Sequence, residues 1–135
     1  MRCPDQNIFK NNGLYLQMAD IIRDISQSVW SALGPGYSER VYHNAFEVAL
    51  RKRGVPYETE RVLPVNYEGT FVGFMRADIV IDNKIIVELK SAARLTPAFR
   101  TQVQKYMEIT GCDQGYLINF PVDSSIVEIE SFGKP

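Results

Sequence analysis

Three charged residues, Asp78, Glu88 and Lys90, stand in a stretch with the composition of two strands and a turn, MRADIVIDNKIIVELKSA, Met75 to Ala92. If Asp82, Asn83 and Lys84 form a three-residue loop, Asp78 lies opposite Glu88 across a β-hairpin. Side chains alternate along a strand, so Glu88 and Lys90 share one face while Ile85, Val87 and Leu89 point to the other. Two adjacent carboxylates repel and raise each other's pKa unless a cation sits between them, and hard oxygen ligands suit a divalent ion such as Mg²⁺ or Mn²⁺. A bound ion of this kind holds a phosphodiester oxygen and lowers the pKa of its own water, while a neighbouring Lys orients the nucleophile or offsets transition-state charge. The chemistry so indicated is phosphodiester hydrolysis. The plainer alternative, a cross-strand ion pair on a solvated edge, is worth under about 1 kcal/mol. Against it stand the apolar runs IVI and IIV, which place the charges in a central hairpin where unpaired charge is costly.

The hairpin needs elements to hold it. From Leu14 to Leu33 the apolar residues Met18, Ile21, Ile22, Ile25, Val29, Trp30 and Leu33 recur at three and four, as an amphipathic helix requires, and Gly34-Pro35-Gly36 ends it. A second helix is expected from Ser38 as N-cap to Arg53, with Val41, Ala45, Val48 and Ala49 inward and Gly54 as its stop. Strands follow at about 57–67, 70–81 and 84–89, a helix opened by Pro97 at about 98–110, and two more strands at about 115–120 and 125–132. The order ααβββαββ implies an α/β fold, a central mixed sheet with helices on its faces. Residues 1–13 read as a polar, weakly ordered leader and 14–135 as one domain.

Composition narrows the function. The chain has 135 residues and a formal net charge of -1, so no global positive field draws it to nucleic acid or to an anionic membrane. No apolar run reaches the roughly 18 residues that span a bilayer, and no signal peptide opens the chain, so a soluble intracellular protein is expected. Cys3 and Cys112 match no metal spacing and are expected to be free thiols, a Cys3–Cys112 bridge being the alternative. No phosphate-cradling Gly-rich loop is present. Basic residues that could track a phosphate backbone are Arg40, Arg51, Lys52, Arg53, Arg76, Arg94, Arg100 and Lys105, with ordinary solvated charge as the alternative.

Asp78 followed by Glu88-Leu89-Lys90 resembles the D…ExK signature of the PD-(D/E)XK nuclease superfamily, which has a restriction-endonuclease-like core. GYSERVY, Gly36 to Tyr42, resembles the motif that names the GxxExxY family, a bacterial-type and viral-type branch of it. The blocks GFMRADIVIDNKIIVELKSAARLTP, QVQKYMEITG and GYLINF resemble that family's remaining blocks in order, so the likeness runs over residues 14 to 132. It implies that Asp78 and Glu88 are metal ligands with the Leu89 backbone carbonyl, and that Lys90 is the catalytic lysine. Glu39 would be an auxiliary acid that holds metal or a metal-bound water; alone, it reads as a first-turn acid favoured by the helix dipole. Gln102 and Tyr106, four apart on one helix face, resemble a QxxxY motif that positions active-site groups and DNA; the alternative is a Tyr packed on the sheet. Two positions depart from the pattern: Ala77 stands where the superfamily name has Pro, and Phe99 where a His is expected. His43, the single His, reads more readily as structural than as catalytic.

Two functions remain open. The first is a Mg²⁺-dependent nuclease acting on DNA, less readily on RNA, through Asp78, Glu88 and Lys90 with Glu39 and Gln102 assisting. Tyr106, Arg40, Arg76, Arg94, Arg100 and Lys105 would then contact nucleic acid. The second is a catalytically idle binding or assembly module on the same fold, as a homodimer or in a larger complex.

Overall fold

The computed structural model describes residues 4–123 and 126–133, with side chains from Gln17 onward. In chain order the elements are α1 (Pro4–Leu33), α2 (Glu39–Lys52), β1 (Tyr57–Tyr67), β2 (Thr70–Ile81), β3 (Ile85–Lys90), α3 (Pro97–Thr110), β4 (Gln114–Asn119) and β5 (Glu128–Gly133). This is the ααβββαββ order, and the strands lie side by side as β1-β2-β3-β4-β5 in one mixed sheet. Every pairing is antiparallel except β3 with β4. Parallel neighbours need a crossover, which α3 supplies.

The helices cover opposite faces. Met18, Ile22, Ile25 and Val29 of α1 and Tyr42, Phe46 and Leu50 of α2 pack with Ile79, Ile81, Ile85, Val87 and Leu89. On the other face Val103, Tyr106 and Met107 of α3 pack with Val80, Ile86 and Leu117. Each fully buried Leu, Ile or Phe contributes about 1.5–3 kcal/mol. Glu88 shares this burial at 2% exposure, in the middle of the sheet, and so needs a compensating environment. The loop joining β2 to β3 has the expected three residues, since Ile81 pairs with Ile85; Asp82 and Asn83 take left-handed φ of 51° and 56°, which these side chains tolerate best after Gly.

Several sequence expectations shift. Val41 and Val48 are 37% and 40% exposed; the inward stripe of α2 is Tyr42, Phe46 and Leu50 at i, i+4, i+8, whose larger side chains take the sheet-facing side. Ala45 and Ala49 flank that stripe, half-buried against it. The first helix begins at Pro4 rather than Leu14, so helical backbone runs through residues 4–13. Pro presets the first-turn φ, and a polar stretch gives no hydrophobic period by which to extend the helix from sequence. Cys112 is a buried free thiol, while Cys3 and its proposed bridge lie outside the described residues. No helix among the described residues is long and apolar enough to cross a membrane.

The contact between α3 and β4 is close. A Cβ added at Gly115 would lie 2.7 Å from Met107 Sδ and 2.8 Å from Val103 Cγ1. Met107 can bend away, but β-branched Val103 must shift α3 with it. Gly115→Val is therefore expected to destabilise the chain by about 1–3 kcal/mol, read as a lower urea midpoint with unchanged slope.

Candidate active site

The β2–β3 ladder runs Ile81 to Ile85, Val80 to Ile86 and Ile79 to Val87. The next step in that register sets Asp78 opposite Glu88, as the hairpin reading expected, and here side chains replace the main-chain ladder. The Asp78 N–H donates to Glu88 Oε1 at 2.7 Å, and the Leu89 N–H donates to Asp78 Oδ2 at 2.9 Å. On the other side of β2, Glu60 of β1 has a φ of 52° and interrupts the pairing between Thr59–Ile79 and Arg61–Ala77. The sheet thus parts at Asp78, and two carboxylates fill the opening.

Burial, and next the charge of Asp78, push the Glu88 carboxyl well above the ordinary carboxylate range; the Asp78 N–H and Lys90 oppose the shift. Lys90, two residues on, sits on the same side of β3. Its Nζ donates to Gln102 Oε1 of α3 at 2.9 Å and lies 4.8 Å from the centre of the Phe99 ring. The position where a His was expected therefore presents an aromatic face to the ammonium. Tyr106 is 3% exposed, and burial, with the nearby Glu88 and Asp78 charges, pushes its phenol far above the usual range, against a hydrogen bond with Gln102. Tyr106 is therefore buried beside the carboxylates and presents almost no surface to solvent.

Asn119, wholly buried, fixes the exit of β3. Its Oδ1 accepts the Ala92 N–H at 2.9 Å, and its Nδ2 donates to the Ala92 carbonyl at 3.1 Å and to Glu128 Oε1 at 2.8 Å. The Phe120 N–H adds a bond to the Lys90 carbonyl at 2.9 Å. The backbone beneath Lys90 is thereby held by β4.

The N-terminal turn of α2 closes the site from the other side. Glu39, Arg40, His43 and Asp78 line a cleft of about 260 Å³. Partial loss of water, and then the Asp78 charge, raise the Glu39 carboxyl above its ordinary value, while Lys90, His43 and Arg40 pull it down. The loop before α2 is pinned by Tyr42, whose hydroxyl donates to the Gly34 carbonyl at 2.6 Å and whose ring stacks on Phe120 at 4.7 Å. Gly36 in that loop has a φ of 109°, which a side chain would strain. His43 is 3% exposed, its Nε2 lying 2.9 Å from Glu47 Oε2 and 3.0 Å from Thr59 Oγ1. The Thr59 hydroxyl in turn donates to the Asp78 carbonyl at 3.2 Å.

Asp78, Glu88, Lys90, Gln102 and Tyr106 thus meet at one place, with Glu39 across the cleft. The basic residues scatter. Arg40 is ion-paired with Glu60, Arg100 makes a two-pronged pair with Glu130 at 2.7 and 2.8 Å, and Lys105 lies 3.4 Å from Glu108. Arg76 lies over the Phe74 ring at 5.3 Å, and Arg94 is exposed in the loop after β3. Sequence reasoning missed Thr59 and Asn119. Asn119 had a signal, a lone amide ending the apolar run GYLIN; Thr59 had none, because its role depends on the break at Glu60.

Among the described residues no group of three or more His, Cys, Asp or Glu could hold a metal ion. Buried Glu88 and half-buried Asp78 nevertheless fit Mg²⁺, which keeps several waters and is commonly held by one or two carboxylates plus substrate phosphate.

No curated protein matches the chain. Among solved structures, the crystal structure of SSO0001 is similar, with 22% identity and a TM-score of 0.52. The match covers 72% of this chain and spans half the length of that protein. At that identity it speaks for the fold alone. Residues 16–131, which include the C-terminal half of α1, all of α2 and all of the opened hairpin, match the PD-(D/E)XK nuclease superfamily. With the parted strands, the carboxylate pair and the lysine on the next turn of the pleat already in place, the chain belongs to the PD-(D/E)XK nuclease superfamily.

Proposed function

We propose that the chain is a metal-dependent nuclease that hydrolyses phosphodiester bonds, in DNA before RNA, and that it falls in the GxxExxY branch. The observation that carries this reading is the placement of Asp78 and Glu88 inside the sheet, where each carboxylate accepts a main-chain N–H from the other's strand. Nucleases of the superfamily generally use divalent metals. Asp78 and Glu88 would hold Mg²⁺ or Mn²⁺, with the Leu89 carbonyl as a further ligand and Glu39 holding a metal-bound water. When bound, the ion polarises the scissile phosphate and supplies a water of lowered pKa. Lys90 is steadied by Gln102 and Phe99, which leaves N–H bonds of its ammonium for a phosphate oxygen or the attacking water. Gln102 links Lys90 to Tyr106, so α3 orients the lysine, and the protonated Tyr106 phenol offers no competing negative charge. Arg76, two residues from Asp78 on β2, and Arg94, in the loop after β3, are both exposed and would meet phosphates.

A second reading, a module that binds without cutting, draws support from the missing third ligand among the described residues and from the pairing of Arg40 and Arg100 with acids. Melting in Mg²⁺, Mn²⁺ or EDTA separates the two. The nuclease reading expects stabilisation approaching about 2.7 kcal/mol at one hundred times the dissociation constant, absent in Asp78→Ala. An unchanged melting temperature contradicts it and favours the binding module.

A further inference from the structure

The β1–β2 hairpin runs on past the rest of the sheet. β3 pairs with β2 only at Ile79, Val80 and Ile81, so beyond Asp78 the hairpin is a two-stranded arm. One side of it packs toward α3 through Leu63, Met75 and Ala77. The alternate positions lie on the open side, where Val62 and Phe74 are each 53% exposed and Val72 is 59% exposed. Apolar surface in a protruding ribbon calls for an occupant.

The open side is continuous with the cleft. Arg40, which lines the cleft beside Asp78, is ion-paired with Glu60; Glu60 is close enough to Arg76 for that charge to lower its carboxyl pKa; and Arg76 lies over the Phe74 ring. A cation and an aromatic face sit side by side, two and four residues along β2 from Asp78, the proposed metal ligand. We propose that Phe74 and Arg76 form a stacking platform for an unpaired base of single-stranded nucleic acid, next to the bond that is cut. The proposal rests on the nuclease reading for its orientation.

The chemistry of the arm favours a single strand over the other occupants. An aromatic face needs a base face, and a duplex keeps its base faces hidden in the stack. A ribbon that reads a duplex groove needs donors and acceptors for base edges, whereas this face carries Val62, Val72 and Phe74. Pairing of the arm with a second copy, edge to edge, is blunted by Pro64 within β1, by the register shift between Val65 and Asn66, and by the break at Glu60. The net charge of -1 also suits a strand of lower charge density than a duplex.

The test uses the full chain in EDTA, so that binding is read without cleavage. Oligonucleotides of equal length, single-stranded or blunt duplex, carry a fluorophore for anisotropy or 2-aminopurine to report stacking. Phe74→Ala is expected to weaken single-strand binding roughly 5- to 100-fold, with duplex binding and melting temperature unchanged, while Arg76→Ala weakens single-strand binding more than duplex binding. Phe74→Trp should retain binding, and 2-aminopurine should be quenched by the wild type and not by Phe74→Ala. Unchanged single-strand affinity, an equal loss on duplex, or a dimer in sedimentation that Phe74→Ala splits would each overturn the platform. Binding through the arm by a chain that never cuts would sink the nuclease reading and leave the platform standing.

Discussion

Asp78→Ala and Lys90→Ala are each expected to suppress the proposed cleavage, and to do so differently. Removing Asp78 takes away half of the carboxylate pair that would hold the ion, for an expected loss on the order of 10³-fold or more. It also leaves the Leu89 N–H without its acceptor, while relieving the crowding on Glu88, so the fold persists with a modest change in melting temperature. Lys90→Ala removes a half-buried charge that is steadied by Gln102 and Phe99. Its expected loss is about 10²- to 10³-fold, mainly in kcat. The variants part on metal: Lys90→Ala keeps the Mg²⁺-induced rise in melting temperature, and Asp78→Ala loses it. Equal loss of metal binding in both would mean that Lys90 holds the fold of the site rather than serving the reaction.

Glu88→Gln is expected to stabilise the chain at neutral pH. In the folded protein burial and Asp78 raise the Glu88 carboxyl well above its ordinary value of 4.5, so the folded state binds that proton more tightly than the unfolded chain. The stability this group contributes is full below that ordinary value and is lost as pH rises through the raised one. Glutamine keeps the oxygen that accepts the Asp78 N–H and carries no charge to desolvate. The expected gain near pH 7–8 is about 1–2 kcal/mol, shrinking to nothing near pH 4, with cleavage lost. Denaturant midpoints for both proteins across pH 4–8 check it. A variant less stable than the wild type at pH 8 would contradict the burial of an unpaired charge at this position.

Much of this site could be read from the chain itself. The three-residue loop fixed the hairpin register, and the register set Asp78 against Glu88; the apolar runs on both strands told that the pair is central. What escaped was tertiary. Asp78 and Glu88 bond each other's strand because β1 breaks at Glu60, and no local pattern marks a left-handed glutamate. The inward face of α2 went to Tyr42 and Phe46 over Val41 and Val48, a choice made by the space beneath the sheet rather than by hydrophobic period. Phe99 read as a departure because its use, a ring under the Lys90 ammonium, depends on α3 lying over the end of β3. The basic residues were counted by charge alone, and ion pairing with Glu60 and Glu130 changed what Arg40 and Arg100 have to offer.

The most direct measurement is gel-resolved cleavage of end-labelled single- and double-stranded DNA and RNA by the purified chain in Mg²⁺, Mn²⁺ or EDTA, beside Asp78→Ala. Cleavage that requires the divalent ion and disappears with Asp78 is the expected result. Cleavage that survives in EDTA or in Asp78→Ala, or none under any condition, would contradict a nuclease built on the Asp78–Glu88 pair.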